Sequence, residues 1–163
     1  MFYFQDFYIF STKSVNFCNF NIDTLMTGYA CSYLCNYCHF EEVFMQGPGF
    51  QVKPQTFNEY ISGNHKLFHY KIHDKIVSMV SSFPEMIISA SFQVYKCPQC
   101  RILHNKTQVY IYSEDRLLHS NVFKCSHCKR RLKLTNINRL KTAICPVCRK
   151  SNFKRQKIKD LLW

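Results

Sequence analysis

Four pairs of cysteines carry the chemistry legible in this chain: Cys35/Cys38, Cys97/Cys100, Cys125/Cys128 and Cys145/Cys148, each spaced Cys-x-x-Cys. Two thiolates separated by two residues reach one metal ion from a single tight turn, and two such pairs complete a tetrahedral four-cysteine shell. Four pairs therefore predict two structural Zn2+ sites. A closed shell of four thiolates leaves no position for water or substrate, so the expected role of the metal is to hold the fold. Cys31 and His39 flank the first pair as spare or substitute ligands, whereas Cys18 stands alone and reads as a small buried hydrophobe.

The spacing leaves the grouping of the pairs open. Strand, knuckle, strand and knuckle follow one another from residue 86 to 128, which favours Cys97/Cys100 with Cys125/Cys128 and leaves Cys145/Cys148 to join Cys35/Cys38. The rival grouping joins Cys125/Cys128 to Cys145/Cys148 and Cys35/Cys38 to Cys97/Cys100. Both use the same eight thiolates.

The elements that must position these pairs show in the hydrophobic pattern. From Met86 to Lys96, Ile88, Ala90, Phe92 and Val94 alternate with Ser89, Ser91, Gln93 and Tyr95, which predicts a half-buried strand running into Cys97. A β-prone run, Thr107 to Tyr112, fills part of the interval between Cys100 and Cys125. Upstream, Phe68, Ile72, Ile76, Met79, Val80 and Phe83 recur at helical spacing, which predicts one central helix from a cap at Asn64 to Phe83, ended by Pro84. His65, His69 and His73 would line one face of it, without the Glu of a His-Glu-x-x-His metal motif. Gly47-Pro48-Gly49 and Lys53-Pro54 mark a loop. The aromatic stretch at residues 1–30 (Phe2, Tyr3, Phe4, Phe7, Tyr8, Phe10, Phe17, Phe20) alternates as strands that serve as core, or as platforms for bases. Ser151 is positioned to cap a final short helix whose Phe153, Ile158, Leu161, Leu162 and Trp163 dock on the body or on a partner. The fold class expected is α+β: an N-terminal aromatic β-rich part (1–84) with the Cys35/Cys38 knuckle, and a zinc-ribbon region (85–163) ending in a basic, zinc-bound tail.

Charge is distributed unevenly. Residues 1–123 hold equal numbers of acids and bases, and residues 124–163 hold 13 Lys or Arg against the single acid Asp160, so the last quarter carries the whole net charge of +12. Such asymmetry points to phosphate partners. The candidate contacts are Lys129, Arg130, Arg131, Lys133, Arg139, Lys141, Arg149, Lys150, Lys154, Arg155 and Lys157. A hydrophobic share of 47% is too high for a disordered chain. Scarce Gly and Ala beside abundant Phe, Tyr, Asn, Ile and Lys fit an AT-rich genome, such as that of a virus or mobile element. The first residues lack a basic n-region and carry Asp6, unlike a signal peptide, and no apolar run approaches membrane-spanning length. Reduced, metal-bound cysteines in an intracellular compartment (cytoplasm or nucleus) are expected, with no secretion and no membrane association.

Three resemblances bear on function. The spacing of Cys97/Cys100 and Cys125/Cys128 resembles the zinc ribbons of transcript-elongation factors and small RNA-polymerase subunits. Thr107-Gln108-Val109 and Ser113-Glu114-Asp115 are similar to their hairpin, whose tip in cleavage-stimulating members presents an Asp-Glu pair to the polymerase metal site. Here the order is Glu114-Asp115, followed by Arg116, and the Gln-Thr-Arg context is absent, so the resemblance implies the ribbon fold more than the catalytic hairpin. Cys31-x3-Cys35-x2-Cys38, with Tyr37 before the last Cys, resembles the cluster loop of radical S-adenosylmethionine enzymes, where three Cys hold a [4Fe–4S] cluster. The Gly-Gly-Glu strand of that family is missing. Cys145-Pro-Val-Cys148-Arg149-Lys150 resembles the end of a RING ubiquitin ligase, but Cys125-Ser-His127-Cys128 supplies only part of the Cys-x-His centre that a RING needs.

The function expected is a zinc-stabilised nucleic-acid-binding protein, DNA or RNA, acting as a small subunit or accessory factor in a transcription or ribonucleoprotein assembly. A protein-interaction adaptor with structural zinc and a radical S-adenosylmethionine enzyme are the alternatives. No Gly-rich phosphate loop, no nucleophile elbow and no carboxylate pairs beyond Glu41-Glu42 and Glu114-Asp115 stand in the sequence, so catalysis is not expected.

Overall fold

The alternating run after Met86 forms a strand that is paired along its whole length. In this computed structural model, which describes residues 28–48, 54–63, 68–114, 116–156 and 161–162, β4 spans Ile87–Lys96 and runs antiparallel to β5, Leu103–Ser113. Ile88, Ala90 and Val94 of the expected face are buried and Ser89, Ser91 and Gln93 are partly exposed, but Phe92 is only partly buried and Tyr95, expected on the outer face, is buried in a cluster with Cys97, Cys125 and Leu132. β5 turns through Glu114 into β6 (Arg116–Ser120). The other edge of β4 is shared by β3 (Gln55–Thr56) at its start and β7 (Lys133–Leu134) at its end.

A second sheet is centred on β1 (Tyr29–Cys35). One edge pairs with β2 (Glu41–Gln46); the other is shared by β10 (Leu161–Leu162) and β9 (Phe153–Arg155), and β8 (Thr142–Ala143) pairs β9. Early and late segments of the chain thus interleave in one sheet. The two sheets are tied where Gly47 and Phe92 exchange backbone hydrogen bonds of 2.9 Å. Gly47 holds φ 117°, a conformation that a Cβ would strain. The Asn105 amide completes the junction, accepting from Met45 N at 2.9 Å and donating to Met45 O at 3.1 Å.

Among the described residues, apolar side chains collect in three clusters. Tyr33, Phe44, Phe153 and Ile137 fill the first, where the Tyr33 and Phe153 ring centroids lie 5.4 Å apart. The Tyr33 hydroxyl donates to Leu140 O at 2.5 Å. Tyr60, Ile76, Met86, Ile88, Val109 and Ile111 pack two helices onto the β4–β5 face. On the opposite face Tyr95 and Leu132 pack around Cys97 and Cys125.

The helical region differs from the sequence expectation of one helix from Asn64. Among the described residues there are two: α1 (Phe57–Ser62) and α2 (Tyr70–Val80). Thr56 and Glu59 form a reciprocal capping box that starts α1, and Gly63 ends it. α2 starts after His69, whose Nδ1 accepts from Lys71 N at 3.3 Å, while Asn64 and His65 lie outside the described residues. His69 and His73 therefore do not line one helix face: His69 is a cap, and His73 bonds the Tyr60 hydroxyl at 2.9 Å.

Where the sequence predicts a C-terminal helix from Ser151, Phe153–Arg155 and Leu161–Leu162 are strands. Phe153 enters the core as part of β9 because the open edge of β1 supplies ladder partners that an isolated short helix lacks. The apolar end does dock through its backbone, Leu161–Leu162 pairing with Tyr29–Ala30. Ile158, Trp163, Lys157 and the aromatic run before residue 28, with Cys18, lie outside the described residues.

Candidate metal centres

Every Cys pair sits in a hairpin turn. Cys35/Cys38 joins β1 to β2, Cys97/Cys100 joins β4 to β5, Cys145/Cys148 joins β8 to β9, and Cys125/Cys128 is closed by the bridge between Lys124 and Arg131. The four turns share one backbone pattern. The first Cys N–H donates to the carbonyl five residues on: Cys35 to Phe40, Cys97 to Ile102, Cys125 to Arg130, Cys145 to Lys150. Its carbonyl accepts from the residue four on, His39, Arg101, Lys129 or Arg149. Those four residues all hold left-handed backbone, φ 57°, 58°, 60° and 63°. The turn aims both thiols of a pair to the same side.

Sheet order then decides which pairs meet. Because β9 lies beside β1, Cys35 and Cys38 face Cys145 and Cys148; because the 124–131 bridge packs beside the β4–β5 end, Cys97 and Cys100 face Cys125 and Cys128. Within each group the sulfurs lie within 4.8 Å of one another. Cys35 and Cys148 Sγ are 3.5 Å apart, Cys38 and Cys145 3.6 Å, and Cys97 and Cys128 3.4 Å. A tetrahedron of thiolates about 2.3 Å from one ion has S···S edges of about 3.8 Å, so both groups fit a metal ion with little adjustment. The grouping is the first of the two weighed from sequence.

The electrostatics suit a cation. Burial works against ionising Cys35, but N–H groups of Cys38 and Tyr37 and the Cys148 thiol outweigh it and bring Cys35 down to about 6. Cys97 falls to about 7 in the same way, burial being outweighed by Cys100 N–H, the Cys128 thiol and Gln99 N–H. Partners move up in exchange. Cys100 rises to about 12 through its bond to Cys128 and burial. Cys148, which the Lys150 N–H pulls down, is still pushed up to about 12 by burial and its thiol contacts. Within each group one thiol is thus held below and another above the ordinary thiol range.

No family model, curated protein or solved structure matches this chain. Its reading therefore rests on these residues.

Cys31 and His39 are not part of either group. Cys31 lies four strand residues before Cys35, about 13 Å along β1, and is buried in the core. His39 is exposed and contributes its backbone to the turn. The three-Cys loop of a radical S-adenosylmethionine enzyme is thus replaced by a strand, with Cys35 and Cys38 committed to Cys145 and Cys148. His127 likewise stays outside the thiol group, so the RING-type ligand set is not formed; Arg149 Nη2 contacts its Nδ1 at 2.9 Å and Nε2 at 3.1 Å. That contact joins the turns of the two centres, and Lys150 Nζ, 3.0 Å from the Tyr37 ring centroid, ties Cys145/Cys148 to Cys35/Cys38. Neither contact is legible in the sequence, since no spacing rule links residues so far apart.

Of the basic residues singled out, Lys129, Arg130, Arg131, Lys133, Arg139, Lys141, Arg149, Lys150 and Lys154 are exposed. Arg155 is half-buried in β9, with Nη1 3.4 Å from Asn138 Oδ1.

Proposed function

We propose that this chain is a zinc-stabilised nucleic-acid-binding protein, acting as a small subunit or accessory factor of a larger nucleic-acid-processing assembly. The single observation that carries this reading is the exposure of nine Lys and Arg side chains between Lys129 and Lys154, around and between the two four-cysteine groups. Cations on stiff metal-bound turns displace counterions from phosphates at small entropic cost. Two Zn2+ with eight thiolates would lower the formal charge from +12 only to about +8. The cations therefore exceed what the metal centres themselves neutralise. Arg101, Lys129 and Arg149 also occupy left-handed positions where glycine would be unstrained. A basic side chain at each supports a role for its charge. Val43 and Met45, exposed on the outward face of β2, support contact with a protein partner.

Metal analysis of the purified chain should give about two zinc per molecule. Binding to DNA and RNA should weaken with salt along a log–log slope of about −4 to −5, as expected for roughly six phosphate contacts. A flat salt dependence, or no binding at low salt, would remove the nucleic-acid reading and leave the metal sites standing.

A further inference from the structure

We propose that the cavity lined by β4, β5, residues 120–123 and residues 131–134 holds one unpaired base of a single-stranded nucleic acid, with adjoining phosphates on Arg131 and Lys133. The inference rests on the nucleic-acid-binding function proposed for the chain and gives it a site. The cavity measures about 510 Å3, within the roughly 300–1,000 Å3 of ligand clefts. Gln108, Tyr95 and Leu132 are its buried part, and the Tyr95 hydroxyl donates to Gln108 Oε1 at 2.6 Å. Phe123 stands edge-on to Tyr95 at 5.1 Å, and half-exposed Tyr110 stacks on Tyr112 at 6.0 Å. Arg131 and Lys133 are exposed cations of the lining, and among the described residues no carboxylate lines the cavity.

These groups match two parts of a nucleotide: aromatic faces stack on a base and cations take the phosphates, while Gln108, whose Oε1 accepts from Tyr95 and whose Nε2 donates to Val109 O at 3.2 Å, forms the floor. A base in a duplex must first be unstacked and unpaired, at a free-energy cost that a single strand does not meet, which favours a single-stranded occupant. An apolar side chain from a protein partner would cover Arg131 and Lys133 without pairing them, at a desolvation cost that a phosphate avoids.

The test uses the full zinc-loaded chain with labelled oligo-U and oligo-dT of about 12 nucleotides, and a duplex of equal length. Tyr110→Ala should weaken both single strands about 10-fold and the duplex less than about twofold, while Tyr110→Phe stays within about twofold of wild type. Replacing Arg131 and Lys133 together by Gln should flatten the salt slope by about 2. Zinc content and circular dichroism check that each variant is folded. A Tyr110→Ala protein that is folded and keeps wild-type affinity for single strands, with the steep salt slope intact, overturns the cavity and leaves the proposed function standing. Loss of salt-dependent binding in the wild-type chain itself removes both. Independently of any variant, photocrosslinking of oligomers carrying 4-thiouridine or 4-thiothymidine should label Tyr95, Tyr110 or Phe123. Adducts confined to residues outside the cavity would overturn the proposal.

Discussion

At the scale of single residues, the two classes of cysteine make opposite predictions. Cys145→Ser removes one of four thiolates and should cut bound zinc from two to one, whereas Cys31→Ala should retain both ions and cost about 1 kcal/mol, as for a small buried apolar group. Metal analysis with thermal denaturation separates them. The left-handed turn residues offer a second check. At Arg101, φ 58°, glycine relieves a strain of about 1 kcal/mol and adds a similar chain-entropy cost, so Arg101→Gly should hold stability within about 0.5 kcal/mol. Arg101→Val should lose about 2 kcal/mol, because a β-branched side chain tolerates that backbone least. Tyr60 gives a pH dependence. Burial holds its phenol above the usual 10.0. The unfolded chain ionises first, so the Tyr60 contribution is whole below pH 10 and fades as pH rises beyond it. Denaturant unfolding between pH 8 and 11 should show a shallower alkaline decline for Tyr60→Phe, which at neutral pH loses about 1 kcal/mol with its bond to His73.

At the scale of elements, the short strands draw their stability from the segments they pack against. β9 has three residues, yet Phe153 is buried among Tyr33, Phe40 and Phe44 while its backbone pairs with β1. Phe153→Ala should cost about 3–4 kcal/mol. Because β9 leads out of the Cys145/Cys148 turn, the same change should speed zinc release from the Cys35 group more than from the Cys97 group, as read with a chromophoric chelator. α1 depends on its start: the Thr56–Glu59 capping box is written in the sequence as Thr-x-x-Glu, a signal sufficient to announce this helix. The start of α2 at Tyr70 is harder to anticipate, since Phe68 already keeps the apolar spacing of Ile72 and Ile76 ahead of the cap at His69. Side-chain periodicity reports which face is buried and is blind to where the backbone stops being helical.

At the scale of the whole molecule, a metal ion in the Cys35 group would close a long loop. Cys35 and Cys148 are 113 residues apart, so an ion between them fixes two distant parts of the described fold at once. Removing metal with excess chelator should therefore abolish cooperative unfolding and disperse the β1-centred sheet, seen as loss of near-ultraviolet dichroism and amide dispersion, with recovery on adding zinc under reducing conditions. The sequence by itself determined the eight thiols, the shape of each turn and the alternating face of β4, because sterics and hydrogen bonds within about five residues settle these. It also determined the basic last quarter, which is a matter of composition. Tertiary structure alone decided that Cys35/Cys38 meets Cys145/Cys148, that Cys31 is core, that Phe153 and Leu161 lie in strands, and that Tyr95, Gln108, Tyr110 and Arg131 share a cavity. Each of those depends on which strand lies beside which. Strand order is set by burial and ladder pairing summed over the whole chain, and no local spacing records it.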